Sequence, residues 1–451
     1  MNSIVITGGT VHTMVDGDEP CRASLVVEDG IISEIIPDDE AGVKRQYPSG
    51  ADIFNAEGML VAPGFIDIHI HNERTYDEPV VEKAMLSQGV TTGLSGNCGI
   101  GPLFSEIVSF GANPMVNLYS FVGNIVLREK AGQRDRYSPA SPGQIDKMRE
   151  LLRESMDMGA LGLSFGLEYV PGTSSEEIGA LSRAAAEYDG LISVHIRYDD
   201  DRCVDAVQEA ISISRKHRAR VHISHLASIT PFHTKECADL TAAARSEGAR
   251  VTFDSYPYAA FCTSIGSAVF DDGFIDRWRG KGPEHCEAVS GKFRGRRLNW
   301  ASFEEMRRDE PDGLVLAHIM DVNEVEACIA RPDCIIASDA FYSGEGIHPR
   351  TYGTFPKALN ILRRCGYSWN DALKKVTSMP ADVMGIASGR LTPGRAGDVV
   401  VFDPENFVDK ATYQDAFLPP GGVKLVLIGG SPVVKNGEVS RIPQGRLRRR
   451  P

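Results

Sequence analysis

Through the middle of the chain, short β-branched runs alternate with helical stretches, and this alternation constrains the fold more than any other feature. The runs are APGFIDIHIH, VTTGLSGN, MVNLYSFVG, ALGLSFG, LISVHIR, RVHISH, RVTFDSYPY and CIIASDA, separated by stretches such as SPGQIDKMRELLRESMDMG and RCVDAVQEAISISRKHRA. Strand, helix and strand repeated many times imply parallel strands with crossover helices, and eight such units close a (β/α)8 TIM-like barrel of the α/β class. A further apolar run, LVLAHI, makes nine candidates for eight places, so one is misassigned or belongs to an extra element.

The two ends of the chain read differently. SIVITGGTVHT and ASLVVEDGIISEII near the start, and DVVVFDPENF and VKLVLIGGSPVV near the end, are short strands punctuated by Gly and Asp turns. Because chain ends commonly lie close together, residues 1–60 plus 388–451 are expected to build one small β-sandwich beside a barrel of residues 61–387. At about 267–311 the alternation fails in a polar, Gly-rich, basic stretch, DDGFIDRWRGKGPEHCEAVSGKFRGRRLNW. An insertion of that kind reads as a lid or binding loop, and less often as a disordered surface excursion.

Charge narrows the partners. The net charge of −13 repels nucleic acid and anionic membranes, so a small-molecule substrate is expected. The basic run Arg446, Arg448, Arg449 and Arg450 reads as a frayed, solvated tail. The N-terminus lacks the pattern of a signal peptide, no apolar run is long enough to span a bilayer, and the nine cysteines are scattered. Together these suit a cytoplasmic protein with free thiols. Nothing in the sequence specifies an oligomeric state.

Within the first strand, His69 and His71 are two residues apart, so their side chains share one face and can reach one metal ion. Alone, the pair is equally consistent with a coincidence. Further ligand-type residues sit at the C-terminal ends of other candidate strands, where a barrel places its site: Cys98, His195, His225 and Asp339. Each has a structural alternative, as a core cysteine, a hydrogen-bonded buried histidine or a helix-capping aspartate. His222 lies three residues before His225, which puts it on the opposite face and among the packing residues. Arg197 faces the same way as His195, and reads equally as a residue that orients a carboxylate near the metal or as half of a structural ion pair.

The order of these residues resembles the amidohydrolase superfamily, and within it the N-acyl-D-amino-acid deacylases, or D-aminoacylases. The resembling segments, among them VAPGFIDIHIH, GNCGI, GLSFGLEYVPG, ISHL, DSYPY, HPRTYGTF and SGRLTPGRAGDVVVFD, run from about Val61 to Asp403. The resemblance implies a zinc enzyme that cleaves N-acylated, D-configured amino acids. Cys98, His195 and His225 would hold a tight zinc, and His69, His71 and Asp339 a second, weaker one. Many relatives bridge two metals with a carboxylated lysine on the fourth strand; ALGLSFGLEY has none, and the Cys98 thiolate would take its place.

Metal lowers the pKa of water from about 15.7 to roughly 7, so a metal-bound hydroxide would attack the amide carbon. Asp339 would act as the general base and then as the acid that protonates the departing nitrogen. The resemblance also implies that Tyr258 and Arg350 hold the substrate's carboxylate. The chain departs from the family at Ala227, where a lysine is expected, and at Asn124, where a histidine is expected. Losing one hydrogen bond to a charged group weakens binding by roughly 1.5–3 kcal/mol. A cyclic amide hydrolase of the hydantoinase or dihydroorotase kind is the alternative, and a metal-free scaffold the third reading; all six ligand-type residues being present argues against the latter.

Overall fold

Eight parallel strands form the central sheet, neighbours in space following the order of the chain. They are β1 (Phe65–Asp67), β2 (Val90–Ser95), β3 (Asn117–Gly123), β4 (Gly162–Gly166), β5 (Leu191–His195), β6 (Arg220–Ile223), β7 (Val251–Ser255) and β8 (Cys334–Ile336). The computed structural model describes residues 3–38, 47–73, 78–111, 113–344 and 346–451. The ring closes just beyond β1 and β8, where Ile70–His71 runs parallel to Ala340–Phe341 and the Asp339 amide donates to the His69 carbonyl at 2.9 Å. Strands β2, β3, β4 and β5 are buried at every residue, as strands covered on both faces must be.

The helices between them carry apolar stripes. In Cys203–His217 the buried side includes Ala206, Val207, Ala210 and Ile211, at the spacing that faces one side of a helix. The helix Pro142–Met158 starts on Ser141, whose hydroxyl accepts from the Gln144 amide, and stops at Gly159 with φ 118°.

The ninth apolar run, Leu314–Ala317, is outside the barrel. It is the middle of an antiparallel sheet with Phe261–Ser264 and Cys286–Ala288. The inserted segment is therefore not irregular: it folds around its own aromatic cluster. Phe270, Phe274, Trp278 and Phe303 are buried, with Trp278 at 0% exposure and ring centroids of Phe274 and Trp278 5.0 Å apart. The rings of Phe270, Phe274 and Trp278 meet edge to face, with interplanar angles of 75–79°, despite the polar residues between them.

The terminal strands join one nine-stranded sheet in which Leu60–Pro63 pairs with Ser3–Val11 on one side and Val399–Phe402 on the other. Ile4, Val27, Val401 and Leu425 meet in a core separate from that of the barrel. No helix among the described residues is long and apolar enough to cross a membrane. All nine cysteines are unpaired.

The C-terminal arginines correct the expectation of a frayed tail. The Leu118 amide donates to the Arg446 carbonyl at 2.9 Å, the Arg448 amide to the Leu118 carbonyl at 2.8 Å, and the Arg450 amide to the Gly159 carbonyl at 2.8 Å. Strand stagger explains the docking: β4 pairs with β3 only from Phe121 onward, so the backbone of Leu118 has a free side that the tail fills. With each such bond contributing about 0.5–1.5 kcal/mol, deleting residues 445–451 should destabilise the protein by about 2–4 kcal/mol. An unchanged urea midpoint would show that the tail only rests there.

Candidate metal centre

The C-terminal ends of β1, β5 and β8, and the turns after β2 and β6, converge on one buried cluster. Asp67 sets the first part of it. Its carboxylate accepts from the His69 amide at 3.2 Å, the Ser338 amide at 3.0 Å and the Ser338 hydroxyl at 2.5 Å, tying the end of β1 to that of β8. His69 is completely buried and His71 is partly so.

Cys98 is carried by the turn GNCGI, with φ 52°, between Gly96 at φ 82° and Gly99 at φ 80°. A side chain at Gly99 would meet the Gly166 amide at 2.8 Å, so the turn can press onto the end of β4 only without one. His225 and Asp339 are left-handed as well, with φ 34° and 51°. Three ligand-type residues in a conformation disfavoured for side-chain-bearing residues place backbone strain at this centre.

Cys98 Sγ lies 3.5 Å from His69 Nε2, 3.6 Å from His195 Nδ1 and 3.5 Å from His225 Nε2. His195 Nδ1 and His225 Nε2 are 3.2 Å apart. Asp339 Oδ1 is 3.4 Å from His69 Nε2 and 3.1 Å from His71 Nε2. Ligand atoms around a tetrahedral zinc, at its usual bond lengths, are separated by roughly 3.6 Å for sulfur to nitrogen and roughly 3.3 Å for nitrogen to nitrogen. The Cys98, His195 and His225 trio matches that spacing, and three overlapping trios drawn from these six residues are compact enough to hold an ion.

The charges agree. Burial works against a Cys98 thiolate, yet His69, His195 and His225 around it hold the thiol well below its ordinary value. Burial likewise opposes a charged His195, but Cys98 and Glu168 raise it to about 10. Asp339, equally buried, is held well below the usual carboxylate range by Arg350 and His69. A thiol and a carboxyl both shifted toward their ionised forms, among imidazoles, are the donor set a dication would bind.

A small cavity opens beside the cluster, walled by Tyr169, Ser228, Tyr256, Phe261 and Val269, the last two from the inserted segment and its sheet. Arg350 is at the centre, as a donor to Asp339: its Nη2 is 2.8 Å from Asp339 Oδ2 and its Nε donates to the Asp339 carbonyl at 2.7 Å. Tyr258 is elsewhere. Its ring packs against His348 and Tyr413, with centroids 5.4 and 6.3 Å away, while Tyr256 is the tyrosine of DSYPY on the cavity wall. Arg197 forms a structural clamp: it pairs with Glu209 through two 3.0 Å bonds and caps the carbonyls of Pro171 and Thr173. Asn124 accepts from the Gly166 amide at 3.0 Å at the end of β4, and the Ile125 amide beside it donates to the Gly99 carbonyl of the turn that carries Cys98 at 3.0 Å. Ala227 is buried and brings no charge.

His222 does not turn away from the centre. Its Nε2 is 2.8 Å from Asp254 Oδ2, an oxygen 3.7 Å from His69 Nδ1, and Asp254 Oδ1 accepts from the His225 amide at 2.7 Å. The two-residue period of a strand fails here because β6 ends at Ile223 and His225 is left-handed. Asp254 and Glu168, which accepts from His195 Nε2 at 2.9 Å, were not among the expected residues. Their signal is an acidic residue at or just past a strand end, otherwise typical of a turn.

The amidohydrolase family profile matches residues 52–434. The chain is 31% identical to the N-acyl-D-glutamate deacylase of Alcaligenes xylosoxydans xylosoxydans, across 99% of this chain and 96% of that protein. It is 28% identical to the D-aminoacylase of the same organism, across 95% and 94%. Among solved structures, the N-acyl-D-glutamate deacylase from Bordetella bronchiseptica, complexed with zinc and a phosphonate inhibitor, superposes with a TM-score of 0.86 at 28% identity, covering 99% of both chains.

Proposed function

This chain belongs to the amidohydrolase family, and we propose that it is a zinc-dependent deacylase that cleaves the amide bond of N-acyl-D-amino acids. The observation that carries the reading is the convergence of Cys98, His195 and His225 at zinc spacing, with Asp339 facing them across His69. The names of the relatives support the substrate class. The cyclic-amide alternative has less support, since β4, GLSFG, offers no lysine to bridge two metals.

In this reading Cys98, His195 and His225 hold the tighter zinc, and His69, His71 and Asp339 are the residues for a weaker second ion. When bound, the metal supplies a water acidic enough to lose its proton at neutral pH, and charge to polarise the amide carbonyl. Asp339 Oδ1, on the side of the histidines, takes the proton and returns it to the departing nitrogen. Arg350 holds Oδ2 and so fixes which oxygen faces the reaction. Its Nη1 is buried without a hydrogen-bond partner among the described residues, which leaves a donor for the carboxylate of the substrate. Tyr256, beneath the guanidinium at 4.7 Å, replaces Tyr258 as the tyrosine for that subsite.

The test is zinc per chain measured alongside amine release from paired N-acetyl-D- and N-acetyl-L-amino acids. About one tightly held zinc and release from the D-series are expected. Zinc without release from either series would refute the substrate assignment, and a chain that takes up no zinc would refute the mechanism.

A further inference from the structure

Trp278 belongs to the inserted segment and is wholly buried, yet its one polar atom reaches outside its own aromatic cluster: Nε1 donates to Asp199 Oδ2 at 2.7 Å. Asp199 sits beyond the end of β5, on the cavity wall, and is 3% exposed. Its other oxygen, Oδ1, has no hydrogen-bond partner among the described residues, the nearest cation being Arg277 Nε at 3.8 Å. A second carboxylate, Glu168, lines the same small cavity as Asp199. Glu168 in turn accepts from Nε2 of His195, whose Nδ1 faces Cys98.

A buried carboxylate oxygen without a donor is a costly arrangement, and two carboxylates meet without repulsion only by sharing a proton. Asp199 meets that condition: burial and the charge of Glu168 push its carboxyl well above the usual carboxylate range. Glu168 then receives one hydrogen bond from Asp199 and one from His195, which fixes the ring of the histidine and directs Nδ1 at the metal position. The indole N–H of Trp278, donating to Oδ2, keeps Asp199 from rotating away.

We propose that Asp199, anchored by Trp278, is a positioning residue for the metal ligand His195, acting through Glu168, so that the inserted segment supports the metal centre from a distance. This rests on the metal reading above but goes beyond it, since it assigns the insertion a task other than covering the cavity.

The experiment compares the wild type with Asp199→Ala, Asp199→Asn and Trp278→Phe, in the absence of substrate. The readouts are zinc affinity by chelator competition and the visible spectrum of the cobalt-substituted protein, which follows ligand geometry. Asp199→Ala should weaken zinc about 10- to 100-fold and alter the cobalt spectrum, as loss of a residue orienting a ligand does. Trp278→Phe, which keeps a ring among Phe270 and Phe274, should shift both readouts in the same direction. Asp199→Asn should stay near wild type, because its amide can donate to Glu168 while its carbonyl accepts from Trp278.

Asp199→Ala with unchanged zinc affinity and spectrum would overturn the proposal while leaving the metal centre intact. Asp199→Asn as impaired as Asp199→Ala would overturn the proton-sharing contact. A wild type that binds neither zinc nor cobalt would instead remove the metal reading on which the proposal stands.

Discussion

Asp339→Asn should keep the tight zinc and lose about 10³–10⁴-fold in kcat, the contribution of a positioned general base and acid. The substitution is nearly isosteric and keeps an oxygen for the contacts with Arg350. Only the ability to take and return a proton is removed. The Asp339 backbone, at φ 51°, should remain in place, since Asn tolerates the left-handed region at least as well as Asp. Because Asp339 is outside the Cys98, His195 and His225 trio, zinc per chain should stay near the wild-type value. A variant with kcat within tenfold of wild type would transfer the proton shuttle to another group.

Cys98→Ser should release the zinc itself. Apparent binding energies of roughly 10–16 kcal/mol for a four-ligand zinc site imply about 2.5–4 kcal/mol per ligand, or roughly a 10²–10³-fold fall in affinity. Serine is as strained as cysteine at φ 52°, so the backbone term cancels and the ligand atom is what changes. The measurement is metal retained after dialysis against a chelator, with circular dichroism to verify the fold. Retention of the metal would move the tight site to His69, His71 and Asp339.

What the sequence made legible, and what it hid, divides along one physical line. Residues within a regular strand obey a simple period, which is why the barrel strands could be placed from their apolar runs. His69 and His71, and the strand-end positions of Cys98, His195, His225 and Asp339, needed no knowledge of the neighbours. The hidden features all depend on the turn or the neighbour. His222 was misplaced because the chain leaves the strand before His225. Tyr256 and Tyr258 are both in DSYPY, and only the packing of Tyr258 against His348 and Tyr413 shows which of them reaches the cavity. The order of the inserted segment rests on Phe303 meeting Phe270 and Phe274 from across a polar stretch of the chain. The docking of the arginine tail depends on the stagger between β3 and β4, a property of the closed sheet. Glu168 and Asp254 hold ligand-type histidines from other strands, a relation that no local window contains.

The sheet made from both ends of the chain carries a consequence for how the protein is born. Leu60–Pro63 leaves the ribosome early, but its neighbour Val399–Phe402 is among the last strands to be made. At about 5–20 residues per second the early strand waits about 20–70 s with one edge unpaired. An open apolar edge is a template for pairing with other chains. Synthesis in the cell therefore exposes a hazard that refolding of the finished chain does not, and nascent-chain chaperones should raise the yield most while the barrel is still being translated.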